Sequence, residues 1–198
     1  LGIEVVRFNN GLCLNQRKYC LELLHEYGML GCKPGSTPLE TNFVLDSGGK
    51  DKGNALLENK MEFQKLIGKL IYLTVTRPNI SYVVQVLSQF MHRPNRSHLK
   101  VALRLLRYLK NSPGKGVAIT KFDSFELKGF VDADWAKCLV TRKSVSGYLV
   151  YFNNCLISWK SKKQSTVSRS STEVEYRALG SIICEIIWVL KILFELGI

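Results

Sequence analysis

Apolar and polar positions change their period three times along the chain. Over residues 1–17 they alternate, with Ile3 and Val5 on one arm and Leu12 and Leu14 on the other. Asn9-Asn10-Gly11 between them has the composition of a tight turn that tolerates positive φ, which predicts a β-hairpin. From Lys18 to Tyr27 the period becomes helical, with Leu21 and Leu24 on one side and Gly28 and Gly31 closing the segment. Pro34 to Pro38 reads as an extended linker, and residues 46–54, from Asp46-Ser47-Gly48-Gly49 to Gly53, read as a polar loop. Three helices follow in the pattern. One spans Asn59 to Thr74, a second Asn79 to Met91 after the break at Pro78, and a third runs to Lys110 after Pro94, with Ser97 as its N-cap. Alternation then returns near 116–122, 126–133, 145–152 and 156–162, read as mostly antiparallel strands because the turns are short. A last helix is predicted over Thr172 to Leu196, opened by the capping-box pair Ser170 and Glu173. The fold class is therefore α+β: a hairpin (1–17), a helical subdomain (18–120), then an antiparallel sheet with one long helix (121–198).

The long helix carries the first chemical clue. At 100° per residue its apolar stripe runs through Leu179, Ile182, Ile186, Val189, Leu190 and Leu193, and Glu175 falls within it while Glu173 points to the opposite side. A carboxylate on a buried stripe costs several kcal/mol unless a cation or metal receives it. Two further readings stay open for Glu175: a lysine partner, or a place at the exposed end of the stripe. In Phe130-Val131-Asp132-Ala133-Asp134, Asp132 and Asp134 share one strand face. Two carboxylates from a strand end and a helix's first turn suit Mg²⁺, which takes few protein oxygens and keeps several waters; an Asp pair at a strand end is equally an ordinary surface feature.

Charge adds a second clue. The 198 residues carry a net charge of +12, of which +9 lies in residues 1–120. From Arg93 to Lys115 there are seven basic residues and no acid. Arg96, Lys100, Arg104 and Arg107 fall within about 80° on a helical wheel, opposite Ala102, Leu105, Leu106 and Leu109. This is either a solvated helix face or a stripe that tracks phosphates. Lys160, Lys162, Lys163 and Arg169 form a second basic patch beside the acids. The six cysteines, without a CxxC pair, read as small apolar residues of a reducing compartment, and His92 and His98 as surface residues. No run spans a membrane and no signal peptide is evident, so the expected location is intracellular, cytoplasmic or nuclear. Leu1-Gly2-Ile3-Glu4-Val5 reads as mid-strand with no Met before it, so a piece of a longer chain is expected.

These residues also carry a resemblance. Phe130 to Ala136 (FVDADWA), Thr141-Arg142-Lys143-Ser144 through Ser146-Gly147-Tyr148, Ile157 to Gln164 (ISWKSKKQ) and Thr166 to Leu179 (TVSRSSTEVEYRAL) are similar to the start of the ribonuclease H domain of copia-type retrotransposon Pol polyproteins. Upstream, Leu1-Gly2-Ile3, Gln16-Arg17-Lys18-Tyr19, Gly31 to Pro38, Gly68 to Leu73 and Thr76 to Tyr82 resemble the end of the same polyprotein's reverse transcriptase, from the primer-grip hairpin into the thumb and connection. The resemblance covers essentially the whole chain. It implies a helical thumb/connection subdomain followed by the N-terminal half of a ribonuclease H-like fold. It also implies cleavage of the RNA strand of RNA–DNA hybrids in the parent, by four acids around two Mg²⁺ ions. Asp132 matches the first acid and Glu175 the second; Asp134 is not among the usual four and is the weaker candidate. The other two acids are expected beyond Ile198, and the polymerase aspartates before Leu1. This chain by itself is therefore expected to hydrolyse little. Implied partners are hybrid and DNA backbones and the remainder of the polyprotein, without a membrane. A non-catalytic nucleic-acid-binding remnant of a retroelement, or a decayed copy, are the alternative readings. Lys137-Cys138-Leu139-Val140 departs from the family's Gly and polar turn, and Asn79 stands where Asp is common.

Overall fold

The computed structural model describes residues 2–40, 55–121 and 125–198, so the polar loop expected at 46–54 lies outside the described residues. The chain divides into two compact units, Leu1–Ala118 and Ile119–Ile198. In the first, β1 (Glu4–Phe8) pairs antiparallel with β2 (Gly11–Asn15), with Val5 opposite Leu14 and Phe8 opposite Gly11. The register leaves Asn9 and Asn10 as the turn, and neither takes a positive φ. β3 (Val117–Thr120) lies beside β2 and completes this sheet instead of joining the later strands. Gly116 permits that approach: a Cβ there would stand 2.1 Å from the Leu14 carbonyl oxygen.

Four helices build the core of the first unit: α1 (Arg17–Glu26), α2 (Lys60–Leu73), α3 (Ser81–Ser88) and α4 (Arg96–Asn111). Their inward residues, among them Leu24, Leu66, Ile67, Leu87, Leu105 and Leu106, are fully buried. Gly28 (φ 64°) ends α1, and Met29 N–H returns to the Leu24 carbonyl at 2.7 Å. Pro78–Ile80 form a 3-10 turn, so α3 starts later than the spacing suggests. The N-cap of α4 is Asn95, not Ser97. Asn95 Oδ1 accepts from His98 N–H, and His98 Nδ1 accepts from Asn95 N–H, both at 3.0 Å. His98 is thereby fully buried and stacked on Phe90, contrary to the surface position expected; His92 is exposed. Arg77 is buried as well. Its NH1 donates to the Ser112 carbonyl at 2.9 Å and its Nε to Asn79 Oδ1 at 3.2 Å, so it ties the 3-10 turn to the end of α4. Burial pulls its pKa below the ordinary arginine value.

In the second unit, β4 (Leu127–Asp134), β5 (Val145–Phe152) and β6 (Cys155–Lys163) form an antiparallel sheet in that order. Asn153 and Asn154, with φ of 49° and 63°, supply the positive-φ hairpin turn between β5 and β6. α5 (Ser171–Glu195) packs on one face of the sheet, where Ile182 meets Tyr148 and Val150, with Leu127 and Val131 beside them. Strand alternation turns Phe130, Asp132, Asp134 and Leu149 to the other face. Two three-stranded antiparallel sheets and five helices make the described fold α+β. Among the described residues no helix is long and apolar enough to cross a membrane. All six cysteines are free, but only Cys20 and Cys155 are buried.

Candidate functional site

Asp132 and Asp134 occupy the end of β4, both exposed, on the face turned away from α5. Asp134 pairs with Lys137 at 3.3 Å. Gly147 stands opposite Asp132, so the position directly across on β5 carries no side chain. Glu175 is exposed, not buried. The buried line of α5 runs through Val174, Ala178, Ile182 and Val189; it shares Ile182 and Val189 with the expected stripe and departs from it at the N-terminal end, where Val174 and Ala178 are buried and Glu175 and Leu179 are exposed. Glu175 therefore bears no desolvation cost, and its place at the exposed end of the stripe is the one realised. Neither Asp132 nor Glu175 has an ion pair or hydrogen bond among the described residues.

The end of β4 and the start of α5 are tied together. Trp135 Nε1 donates to the Ser168 carbonyl at 3.1 Å, and Ala136 N–H to Ser144 Oγ at 3.0 Å. Gln164 Nε2 donates to Ser146 Oγ at 2.8 Å and to the Val174 carbonyl at 3.3 Å. At the N-cap, Ser170 Oγ accepts from Glu173 N–H at 3.1 Å. Glu173 reaches past the cap to Arg169 N–H at 2.8 Å and also accepts from Arg177 Nε at 3.0 Å. The Arg169 backbone N–H and then Arg177 hold its carboxyl below the ordinary value. Glu173 is thus committed to structure, and Glu175, two residues on, is not. As donors the two free carboxylates suit a hard cation that keeps most of its waters. Among the described residues no three His, Cys, Asp or Glu side chains gather to hold a metal ion.

The basic stripe of α4 divides in two. Arg96 and Lys100 are exposed and unpaired among the described residues. Arg104 instead donates to Glu40 Oε1 at 2.6 Å and Thr37 Oγ1 at 3.0 Å. Arg107 Nε donates to the Lys33 carbonyl at 2.9 Å, and Lys110 to the Cys32 carbonyl. These three clamp the Cys32–Glu40 segment against α4, and Glu40 is the compensating acid that lies outside the Arg93–Lys115 run.

The second patch divides as well. Lys160 and Lys162, opposite Tyr148 and Ser146, are on the α5 face of the sheet. Lys163 is on the reverse face, its Nζ 3.8 Å from Cys138 Sγ. Arg169 is exposed before the α5 cap, where its backbone, not its guanidinium, holds Glu173. Sequence reasoning missed Arg177 and Ser181, which face Lys162 and Ser146 across a cavity of about 310 Å³. The i,i+4 spacing of Glu173 and Arg177 was the signal available for the arginine.

No family model matches the chain, and no solved structure does. Curated relatives are found. The retrovirus-related Pol polyprotein from transposon RE1 of Arabidopsis thaliana is 44% identical over 200 residues, covering 100% of this chain and 13% of the polyprotein. That from transposon TNT 1-94 of Nicotiana tabacum is 37% identical over 206 residues, covering 100% of this chain and 15% of its own. An uncharacterized mitochondrial protein of Arabidopsis thaliana is 40% identical over 188 residues, or 95% of this chain and 76% of that protein. The chain thus spans about an eighth of the length of the polyproteins it matches from end to end, and at 37–44% identity over its whole length it belongs to the family of retrovirus-related Pol polyproteins of copia-type transposons.

Proposed function

We propose that the chain is the thumb/connection and first ribonuclease H portion of such a polyprotein, and that in the parent it helps to degrade the RNA strand of RNA–DNA hybrids. The observation that carries this reading is the state of Asp132 and Glu175. The two acids that the motif resemblance implies are both exposed and unpaired, at the end of the unit where Trp135 joins β4 to the lead-in of α5. In the parent Asp132, from the reverse face at the end of β4, and Glu175, from the first turns of α5, would each offer an oxygen to magnesium, with Asp134, which pairs with Lys137, the weaker candidate. Magnesium, when bound, supplies an activated water and stabilises the leaving oxygen. The chain's own residues bind and position the hybrid: Arg96 and Lys100 on α4, and Lys160, Lys162 and Arg169 in the second unit, contact phosphates without reading bases. Arg104, Arg107 and Lys163 add to the field of these patches while holding internal partners.

The test is a fluorescent RNA–DNA hybrid assay in magnesium, run on this chain and on the intact polyprotein. In the intact polyprotein Asp132→Asn and Glu175→Gln are each expected to abolish RNA-strand cleavage while leaving hybrid binding. Full cleavage by either variant contradicts the assignment. A second reading is a nucleic-acid-binding module without catalysis; hybrid binding without cleavage in the polyprotein selects it.

A further inference from the structure

We propose that the cleft between α5 and the β5–β6 edge is a phosphate-binding site, with Lys162 and Ser146 as the direct donors and Lys160 as the supporting charge. The proposal rests on the nucleic-acid reading above and names the group by which the second unit holds its partner.

Two adjoining cavities of about 310 and 390 Å³ share Ser146, Lys162 and Ser181 as walls. The smaller is lined by Ser146, Lys162, Lys163, Gln164, Arg177 and Ser181, with Ser165, and has no carboxylate in its wall. The larger has Glu185, but that carboxylate is occupied. Ser158 Oγ donates to Glu185 Oε1 at 2.6 Å. Tyr148 also bonds it; burial, and then this neighbour, push the phenol up to about 12, so the proton stays on the tyrosine. Both partners of Glu185 are neutral hydroxyls, so it keeps its charge, and one negative charge stands against those of Lys160 and Lys162. Lys160 and Lys162 alternate on β6, which turns both to the α5 face, and neither has an ion pair among the described residues.

The hydroxyl geometry selects an anion. Ser146 Oγ accepts from Gln164 Nε2 at 2.8 Å, which leaves its own proton to donate. Gln164 is held in that orientation from two further sides, by the Val174 carbonyl at 3.3 Å and by Ser168 Oγ, 3.3 Å from its Oε1. Ser181 donates to the Arg177 carbonyl at 3.1 Å, so it shapes the wall and does not bind the anion as a donor. Arg177 is tied to Glu173 and Thr166 and contributes its field. A fixed hydroxyl donor and two lysines against the single carboxylate of Glu185 leave the lining net cationic, which matches a phosphate oxygen set.

The test is a titration of the ¹⁵N-labelled full chain with inorganic phosphate at constant ionic strength, followed by amide shifts, with a second arm using a short RNA–DNA hybrid. Phosphate is expected to move Ser146, Lys162 and Ser181 saturably. Lys162→Gln is expected to weaken it at least about fivefold and Ser146→Ala about threefold, in line with the loss of a charge-assisted and a neutral hydrogen bond. Lys128→Gln, an equal charge change on β4, leaves the titration unchanged. Shifts spread over all basic residues, no shift at millimolar phosphate, or equal affinity in Lys162→Gln overturn the proposal. If phosphate fills the cleft and the hybrid binds nowhere, the cleft stands as a site for free phosphate and the nucleic-acid reading fails. If the hybrid binds while neither ligand moves the cleft residues, the cleft is refuted and that reading stands.

Discussion

The indole N–H of Trp135 donates to the Ser168 carbonyl at 3.1 Å across 33 residues of chain, and Ser168 is buried. This bond sets the end of β4, with Asp132 and Asp134, beside the segment that leads to Glu175. Trp135→Phe keeps the ring and removes the donor. The expected result is a loss of about 0.5–1.5 kcal/mol from the second unit and faster amide exchange at Glu173 and Val174. Unchanged exchange at those amides contradicts the positioning role.

Arg77 is a buried cation without a carboxylate partner among the described residues; it bonds the Ser112 carbonyl, Asn79 Oδ1 and Tyr108, and Asn79 donates in turn to Tyr108 OH at 2.6 Å. Lysine keeps the charge but not the planar fork that reaches both acceptors. Arg77→Lys is expected to cost about 1–3 kcal/mol in chemical denaturation. A change below about 0.5 kcal/mol refutes the tie between the 3-10 turn and α4.

Two glycines make tight approaches of different kinds. A Cβ on Gly116 meets Leu14 backbone at 2.1 Å, whereas one on Gly129 meets the Cδ1 tips of Ile182 and Ile186 at 2.7 and 2.8 Å. Backbone cannot yield without parting β2 from β3; isoleucine tips can rotate. Gly116→Ala is expected to destabilise by about 2 kcal/mol or more, and Gly129→Ala by about 1 kcal/mol or less. The reverse order, measured by urea titration, contradicts this packing.

The carboxyl of Glu173 lies below its ordinary value because it accepts the Arg169 N–H and faces Arg177. The folded state binds this proton more weakly than the unfolded state. Its contribution is therefore full above the ordinary carboxylate range and is lost as pH falls through the lowered value. Carbon-detected titration of Glu173 is expected to show the depressed midpoint, and Arg177→Gln to raise it. Amide protection at the start of α5 is expected to fall in the same acid range. A Glu173 midpoint unmoved by Arg177→Gln excludes the arginine as a cause.

Most elements were legible because local pattern decides them. The hairpin, α1, α2, β4–β6 and α5 follow from period, glycine and proline. What failed depended on tertiary context. β3 joins the hairpin's sheet through a close approach at Gly116 that alternation does not encode. Asn95 displaced Ser97 as cap because His98 completes the reciprocal bond, which also buries that histidine. In α5 the expected stripe is realised at Ile182, Ile186 and Val189 but not at its N-terminal end. Leu179, Ile183, Ile187, Trp188 and Phe194 are exposed apolar residues, so the helix is apolar nearly all round and a wheel cannot choose its buried line. Helix phase and the motif resemblance both point to Glu175; its exposure removes the support of the first and leaves that of the second. For the basic stripe, charge counting along α4 did not register Glu40 or the carbonyls of Cys32 and Lys33, which are distant in sequence.

The most direct measurement is equilibrium binding of the chain to an RNA–DNA hybrid as salt is raised, for the unaltered chain and for the quadruple variant Arg96→Gln, Lys100→Gln, Lys160→Gln, Lys162→Gln. The account expects log K to fall linearly with log salt with a slope of about −2 to −4, from these four unpaired cations, and expects the variant to lose most of both affinity and slope. A flat salt response, or a variant that binds as the unaltered chain does, contradicts it.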